Sequence, residues 1–276
     1  MCRRATSVVL LLVATTALPA QDVTLTVVLE RLQQYLRDYA ELLPATVAIE
    51  RYQQSFGIER VLLESEFGIV RVPNHPQWLG FRDVMKVNGK ALAGRDRRLG
   101  ALFENPTVSA IEQARRIARE SARYNVGRVT RTINNPAVVL ELLDSRNAHR
   151  MKFQKDREDR LNNSPVWIVR FVETSHPTIV RTSSLQDLPS SGHAWIDPST
   201  GRLLRAQATI DSLPSVGRVN CDVDVTFQKP PQLDFWVPAT MTERCFDGTS
   251  MQQGEATYDN YRKFTVQTRE SLGSTR

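Results

Sequence analysis

The sequence predicts an α+β fold, with helical segments toward the N-terminus and an antiparallel strand meander from about residue 148 to 266. Three observations predict it. Residues 24–43 place Val28, Leu32, Tyr35, Leu36, Tyr39 and Leu43 at helical spacing. Beyond residue 148 short apolar runs alternate with turn-rich stretches such as SHP, DLPSSG, DPSTG and KPPQLD. The stretch CDVDVTFQKPPQLDFWVPATMTERC (221–245) reads as strand, loop, strand.

The elements follow in order. Residues 1–20 combine a basic start (MCRR), the twelve-residue apolar run SVVLLLVATTAL and Pro19-Ala20. That pattern is a signal peptide, too short for a spanning helix. Cleavage is expected after Ala20, or after Ala17 because Leu18 is large; an uncleaved anchor is the alternative. No cysteine directly follows the apolar run, so lipid attachment there is not expected. Residues 21–276 then form a single exported domain, periplasmic or extracellular, with no transmembrane segment.

After helix 24–43, Pro44 marks a break, and a second helical piece is expected over 45–54. Residues 58–72 and 78–87 read as strands, with Asn88-Gly89 as a two-residue turn. A helical insertion covers about 95–143. It holds a short helix at 95–103, a clearer one over 107–124 and a third over 136–143, where Pro136 suits a first helical turn. The middle helix has Ile111, Ala114, Ile117, Ala118 and Ala122 on one stripe. The strands expected next are 148–155, 165–173, 178–183, 192–197, 202–211, 217–228, 236–246 and 254–266. PVWIVRFVE (165–173) is apolar on both faces apart from Arg170, which predicts burial on both sides.

The 221–245 hairpin makes a register testable. Folding it about Leu233 places Phe227 against Ala239, Val225 against Met241, Val223 against Glu243, and Cys221 against Cys245. Asp222 then faces Arg244 on the opposite side. Directly opposed residues come within bridging distance, so a Cys221–Cys245 disulfide is expected; two buried thiols are the alternative.

The sequence carries no recognisable catalytic motif. The chain has no G-x-S-x-G elbow, P-loop or HExxH. His75, His149, His176 and His193 have no partner at metal-ligand spacing. Asp197-Pro198-Ser199-Thr200-Gly201 lacks the carboxylate ladder of a cation loop and reads as a hairpin turn. No catalytic residue, metal or cofactor is expected. An enzyme whose carboxylates converge only in space stays open. The net charge of +6 falls to +4 once Arg3 and Arg4 leave with the signal. Basic clusters such as 95–98 and Arg115-Arg116 have acidic neighbours, which predicts a solvated face and no nucleic-acid binding.

WIDPSTG (195–201), FWVPA (235–239) and ATYDNYRKF (256–264) occur in an order that resembles the LolA-like, lipoprotein-sorting-like periplasmic proteins. The resemblance covers roughly residues 190–266. It implies a strongly curved antiparallel half-barrel with helices packed on its concave face. It also implies a hollow that shelters an apolar ligand, such as an acyl chain, lipid or lipidated protein. Trp167, Val169, Phe171, Val223, Val225, Phe227 and Met241 are the expected lining. The alternative is a cell-envelope structural or protein-interaction module, with a filled core and an envelope protein as partner.

Overall fold

The computed structural model describes residues 23–43, 46–72, 77–94, 99, 108–127, 131–212 and 220–263. The expected signal peptide and, apart from Leu99, the short helix at 95–103 lie outside the described residues. Helix α1 is Leu25–Leu42, followed by strands β1 (Thr46–Phe56), β2 (Glu59–Arg71), β3 (Trp78–Val87) and β4 (Lys90–Ala91). Helices α2 (Val108–Ala122) and α3 (Ala137–Leu143) and a 3-10 turn (Ser145–Arg150) come next. Then follow β5 (Met151–Leu161), β6 (Ser164–Glu173), β7 (Val180–Arg181), β8 (Asp187–Leu188), β9 (Ser190–Ile196), β10 (Leu203–Asp211), β11 (Asn220–Gln228), β12 (Val237–Phe246) and β13 (Met251–Lys263).

The fold is α+β, built on an open eleven-stranded sheet in the order β4-β3-β2-β1-β13-β12-β11-β10-β9-β6-β5. Every ladder is antiparallel. The N-terminal strands join the C-terminal meander where β1 pairs β13.

Four sequence expectations are corrected. Within the stretch expected to be helical, residues 46–54 are strand. Glu50 and Gln54 of β1 point inward and are fully buried, so two polar residues interrupt the apolar alternation that identifies a half-buried strand. Strand β5 runs to Leu161, past the expected end at 155, because Asn162 and Asn163 both take positive φ (49° and 63°). Such a two-residue turn keeps the flanking strands paired up to it. The strand expected at 178–183 shrinks to β7, which pairs with β8 in a separate two-stranded ribbon. Phe227 faces Pro238 instead of Ala239, because a register shift lies between Thr226 and Phe227.

The rest of that hairpin follows the expected register: Val225 opposes Met241, Val223 opposes Glu243 and Cys221 opposes Cys245. The two cysteines form a disulfide.

One face of the sheet carries the main core. Val28, Leu32, Leu36 and Tyr39 of α1 and the apolar residues of α3 share one cluster with inward residues of β6, β9, β10, β11 and β12. A smaller cluster joins Ala114 and Ile117 of α2 to Val47 and Phe81. Phe81 alternates with Arg82 along β3, so this cluster lies on the opposite face.

The 197–201 hairpin seats α1. Asp197 Oδ1 accepts from Ser199 N (2.9 Å) and Oγ (2.6 Å), and Gly201 N donates to Asp197 O (2.8 Å). Gly201 has φ +72°, and a Cβ there would meet the Arg31 carbonyl carbon at 2.1 Å. Arg31 Nη1 returns a hydrogen bond to Pro198 O at 2.5 Å. The turn residues therefore serve helix docking.

Candidate ligand cleft

A cleft of about 340 Å³ opens between β3, one face of α2, the 131–138 segment and Ile179–Arg181. Helical spacing puts Arg115, Ala118, Arg119 and Ala122 on the cleft side of α2. Gly80 of β3 is required at the floor: a Cβ there would meet Asn135 Oδ1 at 2.0 Å. Asn135 uses that oxygen to accept from Ala137 N (3.0 Å) at the start of α3. Trp78, Leu79, Ile133, Val138, Ile179 and Val180 supply apolar wall.

Behind the cleft lies a buried polar network. Arg82 makes a two-pronged contact with Glu50, one bond at 2.8 Å, and donates to Asn134 O at 3.0 Å. Its guanidinium lies 4.3 Å from the Tyr52 ring centre. Arg131 pairs with Glu243 at 2.9 Å and donates to Gln54 Oε1 (3.1 Å), Val126 O (3.0 Å) and Gln252 Oε1. Tyr52 donates its hydroxyl proton to Glu243 and accepts from Asn134 Nδ2 at 3.2 Å. Burial works against the Arg82 charge, and Glu50 more than offsets it, raising its pKa. Arg131 rises for the same reasons, with Glu243 as the partner. Burial, then the Glu243 charge, pushes the Tyr52 phenol up, so it stays a donor.

Glu141 of α3 is the acidic side chain among the described lining residues. Burial pushes its carboxyl up to about 8; the Trp78 backbone N–H opposes this and the Asp144 charge adds to it. Asp144 behaves oppositely. Burial raises it, but bonds from the Arg146 backbone, Trp78 and Arg71 outweigh burial and lower its pKa. Arg71 Nε lies 2.9 Å from Asp144, and Trp78 Nε1 donates to it at 2.7 Å.

The seven residues expected to line a hollow lie together in the main core instead of in this cleft. Trp167, Val169, Phe171, Val223, Val225, Phe227 and Met241 are 0–8% exposed and share one packed cluster with α1. Sequence reading missed Arg115, Arg119, Arg181 and Glu141. Two signals point to them in retrospect. Arg115 and Arg119 are i,i+4 on the stripe of α2 that includes Ala118 and Ala122, and Glu141 is a lone carboxylate inside AVVLELL. His176 and His193 pair with Asp187 (2.6 Å) and Asp156 (3.0 Å) at exposed positions. No group of three His, Cys, Asp or Glu side chains that could hold a metal ion occurs among the described residues. No described helix is long and apolar enough to cross a membrane.

No family model and no curated protein matches this sequence. Solved structures do align over most of the chain. A domain described as outer membrane lipoprotein-sorting, from Vibrio parahaemolyticus, aligns with 13% identity and a TM-score of 0.46, covering 86% of this chain and 92% of its own. A DUF1329 family protein from Desulfovibrio piger aligns at 10% identity and 0.36, covering 91% and 94%. A LolA superfamily protein from Nitrosomonas europaea aligns at 10% identity and 0.33, covering 84% and 94%. The chain is similar to LolA-superfamily, outer membrane lipoprotein-sorting and DUF1329 proteins, at low identity and low TM-score.

Proposed function

We propose that this chain is an exported binding protein that holds a lipid-like ligand without a covalent step. The observation that carries the reading is the concave cleft of about 340 Å³ beside β3, with its apolar wall and a rigid polar floor. That volume falls within the range of roughly 300–1,000 Å³ usual for small-molecule sites. The Cys221–Cys245 disulfide fits an oxidising compartment, in keeping with the leader-like residues 1–20. In this reading the open sheet curves as a half-barrel, α1 and α3 fill its concave face, and the ligand enters beside α2. Desolvation of the apolar wall supplies affinity, at about 25 cal/mol per Å² of apolar surface covered.

The test is native mass spectrometry of protein purified without detergent, followed by uptake of a fluorescent fatty acid. A reproducible excess mass, extracted as lipid, supports the reading. A bare protein mass with no uptake overturns it.

One observation favours a second reading, an envelope interaction module with a filled core. The seven core residues around Val225 are close-packed against α1. Capture of an envelope protein by a chain that takes up no lipid would support that second reading.

A further inference from the structure

We propose that the cleft selects a ligand with an anionic head, held at the rim by Arg115, Arg119 and Arg181. This rests on the lipid-binding reading above and names the chemistry of that ligand.

Charge is unbalanced over the cleft wall. Five arginines line it: Arg82, Arg115, Arg119, Arg131 and Arg181. The two deep ones are neutralised within the protein, Arg82 by Glu50 and Arg131 by Glu243. The three outer ones are not. Arg115 Nη2 donates to the neutral amide oxygen Gln77 Oε1 at 3.1 Å. Among the described residues, Arg119 and Arg181 have no carboxylate within ion-pair distance, and both side chains are exposed. Glu141, the acid on the wall, is held mostly protonated at neutral pH by burial. The rim therefore carries three positive charges with no ionised counter-charge among the described residues.

Arg115 and Arg119 also stand four residues apart on one helix, where like charges repel. On a flat surface water screens such charges. Here they sit on walls of low dielectric around a concavity, which concentrates their field. A guanidinium presents a planar fork of N–H donors that matches carboxylate and phosphate oxygens. The apolar wall begins beside them at Ile179, Val180 and Val138. An ordinary inorganic anion would leave that wall wet. An uncharged lipid would leave the guanidiniums without partners. A chain bearing a carboxylate or phosphate satisfies both.

The experiment is calorimetric titration at low ionic strength, below the micelle concentration of each probe. The probes are dodecyl phosphate, dodecanoate, dodecyl glucoside and inorganic phosphate. The variant is Arg119→Gln/Arg181→Gln, whose exposed positions leave the fold intact; circular dichroism and the melting temperature check this. The expected result is that dodecyl phosphate and dodecanoate bind at least about tenfold tighter than dodecyl glucoside, as charge-assisted bonds require. That preference falls to near unity in the variant, while glucoside affinity stays unchanged. Equal binding of charged and neutral probes by the wild type overturns the anionic head and leaves the lipid-binding reading standing. Inorganic phosphate binding as tightly as dodecyl phosphate overturns it in favour of a free-anion site. Binding of none of the probes removes the underlying reading as well.

Discussion

The inward face of the sheet has two regions built by different physics. Beneath α1 and α3, inward positions of β6, β9, β10 and β11 are apolar: Val169, Phe171, Ala194, Ile196, Ala206, Ala208, Val223 and Val225. Beneath residues 124–127 and 131–135, inward positions of β1, β3, β12 and β13 carry Glu50, Tyr52, Gln54, Arg82, Glu243 and Gln252, all buried. The first region needs shape and volume. The second needs each donor to meet its acceptor, because a buried charge without a partner costs several kcal/mol. The cleft opens at the edge of the second region. A polar floor with fixed geometry suits a binding surface better than interchangeable aliphatic packing.

Four substitutions test this contrast, from the largest expected effect to the smallest. Val225→Arg puts an unpaired charge into the apolar region, where Val225 is 0% exposed. We expect a loss of more than about 4 kcal/mol, read as insoluble expression or loss of the cooperative melt. A soluble, fully folded variant would mean that the apolar region is not a closed core.

Glu243→Gln leaves Arg131 buried without its counter-charge. Chemical denaturation should show a loss of about 3–5 kcal/mol. The double variant Arg131→Met/Glu243→Met should recover a substantial part of it, since removing both partners leaves no orphan charge. Failure to recover would show that the pair also positions residues 124–127 through the Arg131 bond to Val126 O.

Cys221→Ala/Cys245→Ala removes a cross-link between residues 24 apart in sequence. Chain entropy predicts a loss of about 3 kcal/mol, visible in the denaturant midpoint. Mass measurement of the wild type before and after reduction, with alkylation, verifies the bond directly.

Glu141→Gln is the smallest and depends on pH. The folded-state pKa of Glu141 is raised from the ordinary 4.5 to about 8. Between those values the folded state binds more protons than the unfolded one, so stability falls as pH rises. The wild type should lose stability from about pH 4.5 to pH 8 relative to the variant, by roughly 2–3 kcal/mol given half-burial at the cleft wall. Melting at pH 5 and pH 9 reads this. A gap that narrows with rising pH would reverse the assignment.

The legible parts of the fold are those with simple periodicity. Strand 78–87 and its Asn88-Gly89 turn stand where expected, and α1 buries Val28, Leu32 and Leu36 at helical spacing. The Cys221–Cys245 pairing was legible because a hairpin fixes its own register. β1 was illegible for a definite reason: its inward Glu50 and Gln54 look solvent-facing until Arg82 and Arg131 are brought to them from distant segments. The cleft was illegible for the same reason. Arg115 and Arg119 look like a solvated helix face until Ile179–Arg181 and the 131–135 segment close around them.

The sequence by itself determined the α+β class, most strand positions, the disulfide partners and the role of the 197–201 turn as scaffold. These depend on neighbours within a hairpin or a few helical turns, where chain connectivity limits the choices. Only the tertiary structure decided that β1 pairs with β13, that Glu50 and Glu243 hold buried arginines, and that three further arginines face one cleft. Those contacts join residues up to about two hundred positions apart, and local pattern carries no information about partners brought together by strand pairing at that range.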